Sequence, residues 1–202
     1  MSREILSTAR PTKLRLAGFL CIAVGAVTAG YGATAEWATI GFPEDVQREL
    51  TLSVHGTDFW EGKVVLLSAT VALIAMLALR LSRSDGTRVS IAVGMIAIGI
   101  ACMAIPVLDA ARARDRFGDE SGVNLYAPAL AAQLGQPEDV VRELFEEQFQ
   151  RALSVDVERG IWISAAGGIL LVIGGALSFV WVRRRNAGRL GADHPVREAG
   201  AP

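Results

Sequence analysis

The chain of 202 residues is 51% hydrophobic but only 6% aromatic, with a mean hydropathy of +0.38 and a formal net charge of −1. Soluble domains of this length rarely score so high, and the apolar residues form four blocks instead of spreading at core periodicity, which sets a soluble bundle aside. The net charge says nothing about nucleic acid, no basic-aromatic patch suggests it, and no nucleic-acid partner is expected.

Residues 1–12 form a basic tail. The first apolar block, residues 14–35, carries no charge after Arg15. A bilayer core asks for about 20 apolar helical residues, with a range of roughly 17–25. Residues 64–79 meet this if Gly62, Lys63 and Arg80 sit in the interfaces, with the long basic stems reaching toward headgroups. Residues 89–108, before Asp109, and 161–182, before Arg183, meet it outright. The expected fold is an all-α integral membrane protein, a bundle of four transmembrane helices. A rival reading of the first block is a secretory signal: Arg10, Lys13 and Arg15, an apolar stretch, then the small residues Ala33-Thr34-Ala35. Cleavage there leaves three spans in unchanged orientation.

Charge sets the orientation. Residues 1–16 hold four basic residues and one acid, the 80–88 turn holds Arg80, Arg83 and Arg88 against Asp85, and residues 183–202 hold five basic residues and two acids. Segment 36–61 instead has six acids and one arginine, and segment 109–160 has eleven acids and six arginines. Basic segments stay cytoplasmic, so both termini are expected inside the plasma membrane and both long loops outside. Arg112, Arg114 and Arg116 run against this pattern. Trp37, Trp60, Trp162 and Trp181 fall at the expected boundaries, as in an aromatic belt. The bias to Arg over Lys, with abundant Ala, Gly and Val, fits a bacterial genome rich in G and C.

The chain repeats itself. GFPEDVQREL at 41–50 returns as GQPEDVVREL at 135–144, identical at eight of ten positions. Leu52-Ser53-Val54 returns as Leu153-Ser154-Val155, and Ile22-Ala23-Val24-Gly25 as Ile91-Ala92-Val93-Gly94. The plan is repeat 1 over 13–84, a cytoplasmic linker at 85–87, repeat 2 over 88–186 and a disordered cytoplasmic tail at 187–202. A two-span unit ends on the side where it began, so the tandem repeats run parallel. The decapeptide reads as a helix start: Pro43 and Pro137 suit the first position, and Glu44, Asp45, Glu138 and Asp139 the positive end of the dipole. Glu44 with Arg48, and Glu138 with Arg142, pair at i,i+4, while Val46 with Leu50, and Val140 with Leu144, give an apolar stripe. Short amphipathic helices are therefore expected at 43–51 and 137–150 in the extracytoplasmic loops. Glu44, Asp45, Arg48, Glu49, Glu138, Asp139, Arg142 and Glu143 make a candidate acidic partner surface.

Within the spans, Gly18, Gly25 and Gly32 recur every seven residues, and Gly167-Gly168 and Gly174-Gly175 form doublets seven apart. Small residues let helices approach closely in lipid. Gly18, Gly25, Gly32, Gly168 and Gly175 are the expected packing positions or a face for another membrane protein, and Val172 the expected lipid-facing contrast. A short helix starting at Pro128 is expected to rest on the bundle.

The chemistry inventory is thin. The only histidines, His55 and His194, are expected on opposite sides, and Cys21 and Cys102 lie inside spans, so no His/Cys metal site is expected. The oxygen-rich segment DRFGDESGVN at 115–124 lacks the spacing of a calcium loop. No nucleophile, phosphate-loop or dinucleotide motif is present, and no cofactor is expected. The spans hold no internal Asp, Glu, Lys, Arg or His, against the habit of pumps and transporters. The leading expectation is a non-enzymatic accessory or scaffold subunit, with membrane lipids and another membrane or extracytoplasmic protein as partners. The alternative is binding or transport of a lipid or other apolar molecule.

Overall fold

The structure is a computed structural model that describes residues 11–41, 51–117, 127–128, 131–132, 135–143 and 154–192. Four long helices dominate: α1 (Pro11–Thr34), α2 (Trp60–Leu81), α3 (Asp85–Phe117) and α4 (Arg159–Ala192). Each contains a stretch long and apolar enough to cross a membrane: Lys13–Thr34, Trp60–Leu81, Asp85–Arg112 and Arg159–Ala187. At 1.5 Å per residue, even the 22-residue α2 reaches about 33 Å, enough for a hydrocarbon core of about 30 Å. The protein is a four-helix membrane bundle.

The helices form a ring in which α4 touches α1 and α3, and α2 touches the same two from the other side. Only 22% of the α2 span is buried against 44% of the α4 span, so α4 is the centre of the packing. The shared core is mainly small and medium side chains, among them Ile22, Ala26, Ala29, Val65, Ala69, Ala72, Met95, Cys102 and Leu171, together with Trp37. Leu67, Ile74 and Leu77 of α2 and Ile169 and Ile173 of α4 point outward, as lipid-facing residues should.

Helix boundaries depart from the apolar blocks because charge ends the hydrophobic signal without ending the helix. Residues 85–87, expected as linker, are the first turn of α3. Ser84 precedes it, the Ser84 carbonyl accepts from the Arg88 amide at 3.2 Å, and Asp85 sits at the positive end of the dipole. At its other end α3 continues nine residues past Leu108, with Pro106 inside it. The tail expected to be disordered from 187 is helical to Ala192, as a continuation of α4.

The larger departure is a sheet. β1 (Glu36–Gly41), β2 (Thr51–His55) and β3 (Ser154–Val157) form a three-stranded antiparallel sheet in the order β2-β1-β3. Leu52-Ser53-Val54 falls on β2 and Ser154-Val155 of the second copy on β3, the strands flanking β1, joining the two loops through a strand with no described counterpart in the second repeat. Thr51, expected to end a helix, starts β2; residues 42–50 lie outside the described residues. Residues 138–143 are helical, as are 127–128, including Pro128.

Candidate functional site

The sheet caps one end of the bundle, and Trp37 fixes it there. Along β1, Glu36 pairs with His55 but Ala38 already pairs with Val54, so Trp37 is an extra residue, a β-bulge. A bulge re-aims the side chain, and it lets Trp37 and Ala38 both be buried, which strict alternation would forbid. The Trp37 indole Nε1–H donates to the Gly32 carbonyl of α1 at 2.9 Å. Its ring lies between Gly56 and Gly160: a Cβ at Gly160 would stand 2.9 Å from Cδ1, and one at Gly56 2.5 Å from Cε2. Glycine is required at both places by close approach. Trp37 was expected in an interfacial belt; at 1% exposure it is a core residue, whereas Trp60 at 70% and Trp162 at 58% are exposed as belt residues would be.

Hydrogen bonds complete the attachment. The Glu158 amide donates to the Trp37 carbonyl at 2.9 Å, and the Thr39 hydroxyl donates to Glu158 Oε1 at 3.0 Å, linking β1 to the start of α4. The Gly56 amide donates to the Ala35 carbonyl at 3.0 Å, and the His55 amide to Asp58 Oδ2 at 2.9 Å, which closes the turn (Gly56–Asp58) leading into α2. Ala38 and Val54 pair on the buried face. Thr39 pairs with Ser53 on one side and Asp156 on the other, forming a polar row on the opposite face, with Ser53 and Asp156 exposed.

Among the acidic candidates, Glu138, Asp139 and Glu143 are exposed and line a shallow depression with Arg142. Glu138 and Arg142 pair at 2.8 Å, the i,i+4 spacing read from the sequence. The buried apolar position is Val141, at 1% exposure, rather than Val140. Glu44, Asp45, Arg48 and Glu49 lie outside the described residues, as does most of 115–124. Among the described residues no group of three His, Cys, Asp or Glu side chains is placed to hold a metal. Cys21 is half-buried and Cys102 buried, both free thiols.

The glycines are spent inside the bundle. Gly18, Gly25 and Gly32 of α1 face Gly174, Gly167 and Gly160 of α4 in antiparallel register, seven residues per step on each helix. A Cβ at Gly25 would lie 2.8 Å from the Gly167 carbonyl oxygen, and one at Gly167 2.7 Å from that of Gly25. Ser164 of α4 donates across the seam to the Ala29 carbonyl at 3.5 Å, and Ser178 lies against Gly18. The second member of each doublet turns to α3: Gly168 meets Gly99 and Gly175 meets Ala92 and Ile96. Val172 packs on Gly99, which corrects its reading as a lipid-facing residue; helix rotation puts Ile169 and Ile173 outward instead. Sequence reasoning missed Gly160 and Gly99. The spacing of seven from Gly167 was the available signal for Gly160.

Residues 19–197 match the family described as tryptophan-associated transmembrane protein. No curated protein matches the chain.

Proposed function

The chain therefore belongs to the tryptophan-associated transmembrane protein family, and from that premise we propose that it is a non-enzymatic accessory subunit whose acidic cap docks a second protein at the membrane surface. One observation carries this reading: the glycine faces are consumed by α1, α3 and α4, while the sheet tied to the bundle leaves Asp156 exposed and the short helix at 138–143 leaves Glu138, Asp139 and Glu143 exposed. The backbone-tight seam between α1 and α4 weighs against an apolar cargo held between the repeats. The opposite end carries Lys13, Arg15, Arg80, Arg83 and Arg183 to Arg185, which supports a cytoplasmic placement for it and an outer placement for the cap. The family's name associates its members with tryptophan, so the partner to seek first is a protein that handles tryptophan.

Isolation of the tagged chain from its native membranes tests this. The expected result is a stoichiometric protein partner that is lost on Glu138→Lys/Asp139→Lys/Glu143→Lys. Thermal stability of the bundle should stay within about 0.5 kcal/mol, as for surface substitutions. A partner retained by the charge-reversed chain, or a retained lipid with no protein, contradicts the reading.

A further inference from the structure

At the end of the bundle away from the sheet, three arginines from three helices converge on one ring. The Cζ atoms of Arg15 on α1, Arg88 on α3 and Arg185 on α4 lie 5.3, 5.7 and 5.9 Å from the centroid of the Trp181 ring. Trp181, expected as an exposed belt residue, is only 8% exposed and packs with Leu14 and Val182. Sharing one centroid, no two of these guanidinium carbons stand more than about 12 Å apart, so three like charges are held close together.

Aromatic contact does not offset this repulsion fully, because one ring has two faces for three cations. Asp85 is the one carboxylate at this end among the described residues, and it pairs with Arg88 at 3.4 Å. Arg88 also donates from Nη2 to the Ser82 carbonyl at 2.5 Å, while its buried Nε has no hydrogen-bond partner among the described residues. Arg15 has a second aromatic contact, with Phe19 at 5.4 Å, and neither Arg15 nor Arg185 has a carboxylate partner among the described residues. Arg183 and Arg184 add to the excess of positive charge. Among the described residues the cluster is short of an anion.

Its depth names the anion. Trp181 lies 22 residues into the α4 span, about 33 Å from its start, which puts the ring at the far edge of a hydrocarbon core of about 30 Å. Arg15 and Arg88 fall in the first turn of their own spans, at the same level. Beside Arg15 on α1, Leu16 and Leu20, one turn apart, are 71% and 63% exposed, an apolar track for an acyl chain. We infer that this arginine cluster binds the phosphate of an anionic phospholipid, seated among α1, α3 and α4 with its chains along the lipid-facing side of α1. Guanidinium groups suit phosphate because they present paired donors in a fixed plane, and basic pockets between helices at the headgroup level are where such lipids are held.

The test uses the full chain in mild detergent, with native mass spectrometry and thermal unfolding as readouts. Phosphatidylglycerol should be retained one per chain and raise the unfolding temperature, whereas phosphatidylcholine should do neither. Arg15→Gln and Arg185→Gln should each weaken retention roughly tenfold or more, the loss of a charge-assisted contact. Arg80→Gln, on α2 and away from Trp181, should leave retention unchanged. Inorganic phosphate should not displace the lipid. Equal retention of the two lipids, unaltered retention in both arginine variants, or displacement by inorganic phosphate overturns the inference, the last by making the ligand a free anion. If an arginine variant fails to fold, the contrast between the two lipids on the unaltered chain decides alone.

Discussion

Alanine at Gly25 should destabilise the bundle, while alanine at Gly94 should not. The substitution is chemically identical and both sites are helical, so helix propensity favours alanine by up to about 1 kcal/mol at each. The surroundings differ. At Gly25 the new Cβ would lie 2.8 Å from the Gly167 carbonyl oxygen and 2.9 Å from both Leu170 Cβ and the Leu171 amide nitrogen; at Gly94 nothing stands within 4 Å. Two of the three obstacles at Gly25 are backbone and cannot turn aside, so α1 and α4 must separate. In lipid this is costly because helices associate by close packing, with little gain from burying apolar side chains. Overpacking of this kind costs about 1–3 kcal/mol, and Gly25→Leu more. Reversible unfolding in detergent should show a loss for Gly25→Ala and none for Gly94→Ala. Equal effects would mean that the seam does not hold the bundle together.

Trp37→Ala should detach the cap. A buried aromatic replaced by alanine costs about 3–5 kcal/mol, and here the ring is the piece on which the end of α1, the turn before α2 and the start of α4 meet. Trp37→Phe keeps most of the ring but loses the hydrogen bond to Gly32, a smaller effect of about 0.5–1.5 kcal/mol. Hydrogen exchange separates cap from bundle. In Trp37→Ala the amides of Thr39 and Val157 should lose protection while the middle of α4 keeps it. Uniform loss across both would show that cap and bundle unfold as one unit.

Much of the bundle was legible because lipid makes its demands in local terms: an unbroken apolar run is visible without knowing its neighbours. The heptad of Gly18, Gly25 and Gly32 was legible for the same reason. Which helix those glycines face was not, since the register with Gly174, Gly167 and Gly160 exists only once α1 and α4 are antiparallel. The sheet was illegible for a stronger reason. Strand preference depends on cross-strand packing, and β1 finds β3 more than a hundred residues away, across two helices. EWATIG alternates only briefly, and Leu-Ser-Val is too short to declare itself beside a well-formed helix start. Trp181 illustrates a further limit. An aromatic residue at a span boundary looks the same in sequence whether it faces lipid or, as here, three arginines.

The claim on which the rest depends is that both loops meet on β1 to form one cap outside the membrane. Cross-linking Thr39→Cys to Asp156→Cys, with Cys21→Ala and Cys102→Ala, tests it most directly, using a short bifunctional thiol reagent that cannot cross the membrane. The two positions are direct partners in the β1–β3 register, and opposed residues stand about 4.5–5.5 Å apart at Cα. In intact cells the pair should be linked, and Ser84→Cys at the α2–α3 turn should stay unmodified. Reaction at each single site without a link would show that the loops do not share a sheet, and reaction at Ser84→Cys alone would place the cap on the opposite side.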